Sequence, residues 1–144
     1  MAANTIPIYS KGGQINWSTT LVKTANTAVD GTGTVAILFT AGADGGRVER
    51  IRARAAGTNV VSVLRIFINN GLDPTNAANN ILYAEMTLTA TTISQVATLL
   101  LQELPNTVDT TAFPLVLPAG YQITATIGTT VAAGWYLSAY GSSY

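Results

Sequence analysis

Residues 117–130 read LPAGYQITATIGTT and show the pattern that decides the fold. After the turn residues LPAG, apolar and polar side chains alternate. A period of two is typical of a β-strand, because successive side chains point to opposite faces of a sheet. The prediction is a strand whose side chains face inward at Tyr121, Ile123, Ala125 and Ile127 and outward at Gln122, Thr124 and Thr126.

Similar short segments recur on both sides of this stretch. They are rich in Val, Ile, Thr and aromatic residues, and Gly, Pro, Asn or Asp bound them. This composition favours strands separated by turns. The expected strands lie at 14–22, 34–40, 47–56, 60–69, 81–89, 113–117, 121–127 and 131–140.

The segment 91–104 is ambiguous. Its apolar residues Ile93, Val96, Leu100 and Leu104 fit the spacing of an amphipathic helix. Its threonines are poor helix formers, however, and the neighbouring segments all have strand patterns. We predict a loop followed by a strand from about Ala97.

Strands of this number and spacing predict an all-β fold. We expect an antiparallel β-sandwich of about eight strands, jelly-roll-like, formed by one domain over residues 11–144. Residues 1–10 are expected to form an extended N-terminal arm, because Pro7 disfavours a central strand position.

The composition favours association with other proteins. Hydrophobic residues make up 48% of the chain and charged residues only 10%, with a formal net charge of zero. So few charges protect weakly against self-association, and a neutral chain has no broad attraction to nucleic acid or to an anionic membrane. No apolar run approaches the roughly 20 residues that span a bilayer.

The residue inventory removes several kinds of chemistry. The chain contains neither Cys nor His, which excludes thiolate or imidazole zinc sites within one chain and Ser-His-Asp or Cys-His nucleophiles. Paired carboxylates remain conceivable, but the aspartates lie in turn-like contexts where Asp supports the backbone. We therefore expect no enzyme, no catalytic residue, no metal and no cofactor. The acidic residues are Asp30, Asp44, Glu49, Asp73, Glu85, Glu103 and Asp109.

Arg50, Arg52 and Arg54 occupy alternate positions of the expected strand 47–56. Alternate residues share one face of a strand, so the three guanidinium groups form a row, and Glu49 is expected on the opposite face. One interpretation is a solvated face whose charges prevent edge-to-edge aggregation. The other is a docking stripe for an acidic partner, because Arg binds carboxylates in a bidentate manner.

The aromatic residues also allow two interpretations. Trp17, Trp135 or the pair Tyr136 and Tyr140 could form a platform that stacks on sugars. Core packing and subunit contact are the simpler roles, because aromatic side chains dominate cores and interfaces.

Three pieces between Leu115 and Gly141 resemble small structural proteins of tailed bacteriophages. They are the LPAG turn at 117–120, the strand YQITATI that follows it, and AGW at 133–135. Together they resemble the capsid decoration, or cement, proteins of these phages.

The resemblance implies a homotrimeric β-sandwich on the outer capsid surface of the virion, where it binds between major capsid protein subunits and stabilises the shell. It implies no active site. We expect Ile6, Ile8 and Tyr9 of the arm to bind a neighbouring subunit, where the arm would add a strand to a sheet of that subunit. The alternative is a receptor- or glycan-binding module of a phage fibre or spike, with exposed aromatic residues at its loop tips.

Overall fold

Two antiparallel sheets contain the strands of the computed structural model, which describes residues 10–105 and 113–144. The only helical element in these ranges is a 3-10 turn at Ala77–Asn79, so the predicted all-β sandwich is confirmed. The strands are β1 (Gly12–Trp17), β2 (Ala36–Thr40), β3 (Gly46–Ala55), β4 (Ser62–Asn69), β5 (Asn80–Leu88), β6 (Leu101–Leu104), β7 (Leu115–Leu117), β8 (Gln122–Ile127) and β9 (Trp135–Ser143).

The strand pairs nest inside one another along the chain. β1 pairs with β9, β2 with β8, β3 with β6 and β4 with β5, all antiparallel. Nested pairs of this kind arise when a long antiparallel ribbon of strands is wound into two sheets. This topology is called a jelly roll. The first sheet has the order β1-β9-β3-β6, with the short β7 also paired to β3, and the second has the order β2-β8-β4-β5.

The core lies between the two sheets, where the inward residues of the strands meet. Burying one large aliphatic side chain contributes about 1.5–3 kcal/mol, so this layer dominates the stability. The alternation predicted for 121–127 is confirmed on its inward side, with Ile123, Ala125 and Ile127 in the core. The largest fully buried side chains of the core are Leu38, Phe39, Ile51, Leu64, Ile66, Leu88, Leu104, Ile123, Ile127, Trp135 and Leu137.

The ambiguous segment 91–104 contains no helix. Thr91 forms an isolated bridge with Asn59, the chain then runs as a loop, and β6 begins at Leu101. The prediction of a loop followed by a strand is confirmed, although the strand begins later than Ala97. The leucines at the end of the segment pack against the core, which explains their apolar spacing without a helix.

A β-bulge in β3 determines which side chains of this strand point outward. Val48 pairs with Gly141 of β9 and Arg50 pairs with Tyr140, so Glu49 is an extra residue that has no pairing partner in β9. One extra residue shifts the alternation of side chains by one position. The bulge is therefore the reason that Val48 faces the core although Arg50, two residues later, faces outward.

The bulge also corrects one prediction. Glu49 was expected on the face opposite the arginine row, but in the structure it is exposed, and its carboxylate lies 2.6 Å from Nε of Arg47. Ile51 and Ala53, which follow the bulge, are fully buried. Strict alternation thus holds after the bulge and fails at it.

Residues 26–33 cross the outer face of the second sheet. Arg65 of β4 donates from Nη1 to the carbonyl oxygen of Asn26, at 3.4 Å. Gly31 lies so close to Phe67 that a β-carbon built on it would fall 3.1 Å from the ring. Phe67 is consequently fully buried, although it does not belong to the core between the sheets.

Two further predictions about the second sheet are wrong. Thr124 and Thr126 do point away from the core, but they are buried and not solvated. The segment 34–40 was expected to be covered on both sides, whereas β2 is an edge strand and its Ile37 is exposed. A local sequence pattern does not report which face a distant loop will cover.

Candidate partner-binding face

The outer face of the first sheet carries no covering segment from the described part of the chain. Its strands present their outward side chains to solvent, and several of these side chains are large and apolar or aromatic. We call this surface the open face. Its members are Ile15 and Trp17 of β1, Tyr136, Ser138 and Tyr140 of β9, Arg50, Arg52 and Arg54 of β3, and Leu101 and Glu103 of β6.

The register of the sheet sets arginines directly opposite aromatic residues. Arg50 lies opposite Tyr140 and Arg54 lies opposite Tyr136, with Arg52 between them opposite a serine. Directly opposed residues of antiparallel strands have β-carbons about 4.5–5.5 Å apart, so each arginine can reach its tyrosine. The predicted placement of the three arginines on one face is thus observed, and the sheet adds the aromatic row beside it.

Tyr140 is held between two guanidinium groups. Its ring centroid lies 5.0 Å from Cζ of Arg50 and 5.4 Å from Cζ of Arg52. Arg52 also donates from Nη1 to the phenolic oxygen, at 3.4 Å. Each cation–π contact contributes about 0.5–1 kcal/mol at an exposed site. The two arginines and the ring therefore form a preorganised cluster.

Ionisation in this cluster follows from the same contacts. The hydrogen bond from Arg52 lowers the pKa of Tyr140 below its ordinary value, with a smaller contribution from Ser138. In return, the hydrogen bond to Tyr140 raises the pKa of Arg52, and Glu103 adds to that effect. Arg52 is therefore a fixed positive charge on the open face.

The charges of the open face do not balance. Oε1 of Glu103 lies 2.8 Å from Nη2 of Arg52, and Oε2 lies 3.9 Å from Nη1 of Arg50. Arg54 has no ion pair with any acidic residue in the ranges that the structure describes. Three guanidinium groups and one carboxylate leave the face with an excess of positive charge.

The aromatic side chains beside this charge are accessible. Trp17 is 67% exposed and Tyr136 is 60% exposed. A shallow cavity of about 260 Å³ lies between the strands of this face. Such a surface can stack on a flat group while a guanidinium binds a carboxylate. The cavity is lined by Arg52, Arg54, Leu101, Tyr136, Ser138 and Tyr140.

Two aspartates support turns, as the sequence predicts. Asp30 accepts hydrogen bonds from the backbone N–H and the hydroxyl of Thr32, at 3.0 and 2.6 Å. Asp73 accepts the same pair from Thr75, at 2.9 and 2.8 Å. These hydrogen bonds lower the pKa of both carboxyl groups. Within residues 10–105 and 113–144, no three acidic residues come together as a metal site would require.

The other predicted site residues have different positions. Trp135, one candidate for a sugar platform, is fully buried in the core. Ile6, Ile8 and Tyr9 lie outside the described residues. The sequence indicates Glu103 only as one of several acidic residues, and no local pattern links it to the arginine row, because its strand joins β3 only through the sheet register.

No family model matches the chain, and no curated protein or solved structure matches it. The described residues contain no helix that is long and apolar enough to cross a membrane.

Proposed function

We propose that this protein is a non-enzymatic structural protein that decorates the outer capsid surface of a tailed bacteriophage. In this proposal it binds between major capsid protein subunits through its open face and stabilises the shell. The virion location and the partner come from the sequence resemblance between Leu115 and Gly141. The binding surface comes from the geometry of the first sheet.

One observation supports the binding role above the others, namely the contrast between the two outer faces. The second sheet buries its outward Phe67 under a segment of its own chain, although Ile37 at its edge is exposed, whereas the first sheet leaves both Trp17 and Tyr136 exposed. Trp, Tyr and Arg are the residues that contribute most energy at protein interfaces. A rigid sheet that presents all three on one side suits docking better than catalysis.

The excess positive charge of the open face supports an acidic docking partner. Arg54, which has no ion pair within residues 10–105 and 113–144, can bind a carboxylate, and Arg50 and Arg52 are already oriented by Glu103 and the tyrosine ring. An acidic patch on the capsid subunit, flanked by apolar side chains, would complement this face.

The test is co-sedimentation of the full chain with undecorated capsids of the encoding phage. We expect the wild-type protein to bind and to raise the temperature at which the shell ruptures. Arg54→Glu should weaken binding at least tenfold, because opposed like charges at an interface cost several kcal/mol. The control is Lys23→Glu, which makes the same charge change at an exposed site outside the open face. Wild-type protein that neither binds nor stabilises the shell contradicts the proposal.

The N-terminal arm is a second proposed contact. Deletion of residues 1–10 should abolish capsid binding while the urea denaturation midpoint stays unchanged. Binding that survives the deletion would remove the arm, with Ile6, Ile8 and Tyr9, from the proposal.

The exposed aromatic residues also support a second candidate, a receptor- or glycan-binding module of a fibre or spike. Trp17 and Tyr136 lie on the same face, and flat aromatic surfaces stack on sugar rings. A glycan array should then give a strong hit that Trp17→Ala removes. An array without a hit leaves the capsid proposal as the better explanation of the open face.

A further inference from the structure

The free edges of the two sheets are protected to very different degrees. An edge strand exposes unpaired backbone groups, and proteins usually protect it with charges, proline, bulges or short length. β7 has only three residues, and the four-residue β6 carries Glu103 and is followed by Pro105. β5 carries Glu85 and a bulge against β4, and β2 has a bulge at Leu38. Each of these edges has at least one such feature.

The edge of β1 has none of these features. Its sequence GGQINW contains no charged residue and no proline, and its pairing with β9 is continuous over all six residues. No strand in the described ranges pairs with its other side. Its outward side chains, Ile15 and Trp17, are 57% and 67% exposed.

The hydrogen-bonding pattern shows which residues of β1 have free backbone groups. The N–H of Ser18 donates to the carbonyl oxygen of Leu137 in β9, at 3.0 Å. Backbone groups of successive residues alternate between the two sides of a strand. Even-numbered residues of β1 therefore bond to β9, and Gly13, Ile15 and Trp17 direct their N–H and C=O groups to the free edge.

We infer that β1 pairs with β1 of a second copy of this chain, antiparallel and about a two-fold axis at Ile15. This register sets Ile15 against Ile15 of the second copy and Trp17 against Gly13, and it forms about six backbone hydrogen bonds. Gly13 has open space where a side chain would be, so the indole ring can lie over it. Gly13, Ile15 and Trp17 of one copy therefore lie opposite Trp17, Ile15 and Gly13 of the second copy.

Charge favours a second copy of this chain, and not a strand of another protein, as the partner of the free β1 edge. β1 itself is uncharged, and Lys11 just before it is neutralised by Asp44 at 2.7 Å. The whole chain has a formal net charge of zero, so two copies approach without long-range repulsion. A foreign strand would need only backbone complementarity, whereas a second copy also provides the matched glycine and tryptophan.

The pairing has a consequence for docking. A two-fold axis perpendicular to the sheet joins the two first sheets edge to edge and keeps both open faces on the same side. Two rows of Arg50, Arg52 and Arg54 then point toward one partner surface. Two linked sites raise the overall affinity without any new contact, provided that the partner presents matching sites. The dimer itself does not depend on the proposed capsid role.

The first test is light scattering of the full chain at micromolar concentration. We expect twice the 15.0 kDa mass of one chain. Ile15→Lys should raise the dissociation constant at least about tenfold, because the axis sets two like charges directly opposite each other. The control is Val116→Lys, the same change at a residue that is 60% exposed on β7. A monomer, or the trimer that the family resemblance implies, overturns the inference, and so does a dimer that survives Ile15→Lys.

The second test uses the unaltered chain and so does not depend on the folding of a variant. Amide exchange of Gly13, Ile15 and Trp17 should slow as the protein concentration rises, because these N–H groups become bonded in the dimer. The even-numbered amides of β1, already bonded to β9, should change little. Exchange at the three odd positions that is fast at every concentration contradicts the pairing.

Discussion

Replacement of Gly141 by Ala should destabilise the protein through the bulge that orients the arginine row. A β-carbon on Gly141 would overlap the carbonyl oxygen of Arg47 and come within 3.1 Å of the α-carbon of Val48. Both obstacles are backbone atoms of β3, which pairs with β9 along the centre of the first sheet. They cannot rotate away as a side chain would, so the two strands must separate locally.

The expected loss of stability depends on whether the new β-carbon overlaps with backbone atoms or with a movable side chain. Overpacking a well-packed site typically costs about 1–3 kcal/mol, and a backbone obstacle in a central strand pair favours the upper part of this range. We expect a loss of about 2–3 kcal/mol in the free energy of unfolding of Gly141→Ala. For a chain of this length that corresponds to a fall in Tm of roughly 5–10 °C.

The assay is urea denaturation followed by fluorescence, with the midpoint compared at constant m-value. Gly12→Ala is the matched control, because it makes the same change on β1 of the same sheet, where a β-carbon meets nothing within 4 Å. The control should lie within about 0.5 kcal/mol of wild type. Equal stabilities of the two variants would refute the account of the bulge.

The remaining predictions concern strand β9 and the charged cluster. Leu137→Ala should cost about 2–5 kcal/mol in the free energy of unfolding, because the side chain is fully buried. Tyr136→Ala should cost no more than about 1 kcal/mol, because its exposed ring loses only strand propensity and the cross-strand contact with Arg54. Urea denaturation compares the two variants, and similar losses would contradict the assigned faces. Arg52→Gln should raise the pKa of Tyr140 toward its ordinary value, because the charge and hydrogen bond that favour the phenolate are removed. A carbon-13 NMR titration of the tyrosine rings measures this shift, and Arg54→Gln, as control, should leave the pKa of Tyr140 in place.

Much of the fold could be predicted because strand periodicity is a local property. The alternation from Tyr121 to Ile127 identified the core side of β8 correctly, since a period of two follows directly from backbone geometry. The turn residues between segments implied many short antiparallel strands, and such strands pack as a sandwich. The ambiguous segment 91–104 was also assigned correctly as a loop followed by a strand, from its threonines, the strand patterns around it and the family resemblance, although the strand begins at Leu101.

The errors all arose where distant parts of the chain meet. Glu49 was assigned to the wrong face because a bulge is a property of the pairing with β9, not of the β3 sequence. Thr124 and Thr126 were expected in solvent, but both are buried on the outer side of the second sheet, where distant parts of the chain meet. Neither effect has a local signal.

In the candidate site, too, only the features set by local sequence could be predicted. The row of Arg50, Arg52 and Arg54 could be read from their alternate spacing alone. Their neighbours could not, because Tyr140 and Glu103 reach the row only through the register of β9 and β6 against β3. No local pattern distinguishes Trp17 from Trp135, although the fold places Trp17 on the surface and Trp135 in the core.

Electron cryo-microscopy of capsids incubated with this protein would show directly whether the open face contacts the shell. We expect density for this sandwich on the outer shell, with the open face against capsid subunits and Arg54 beside an acidic side chain. Bound protein that turns the open face to solvent and contacts the shell by the second sheet would contradict the account, as would a shell that carries no added density after incubation with an excess of the protein.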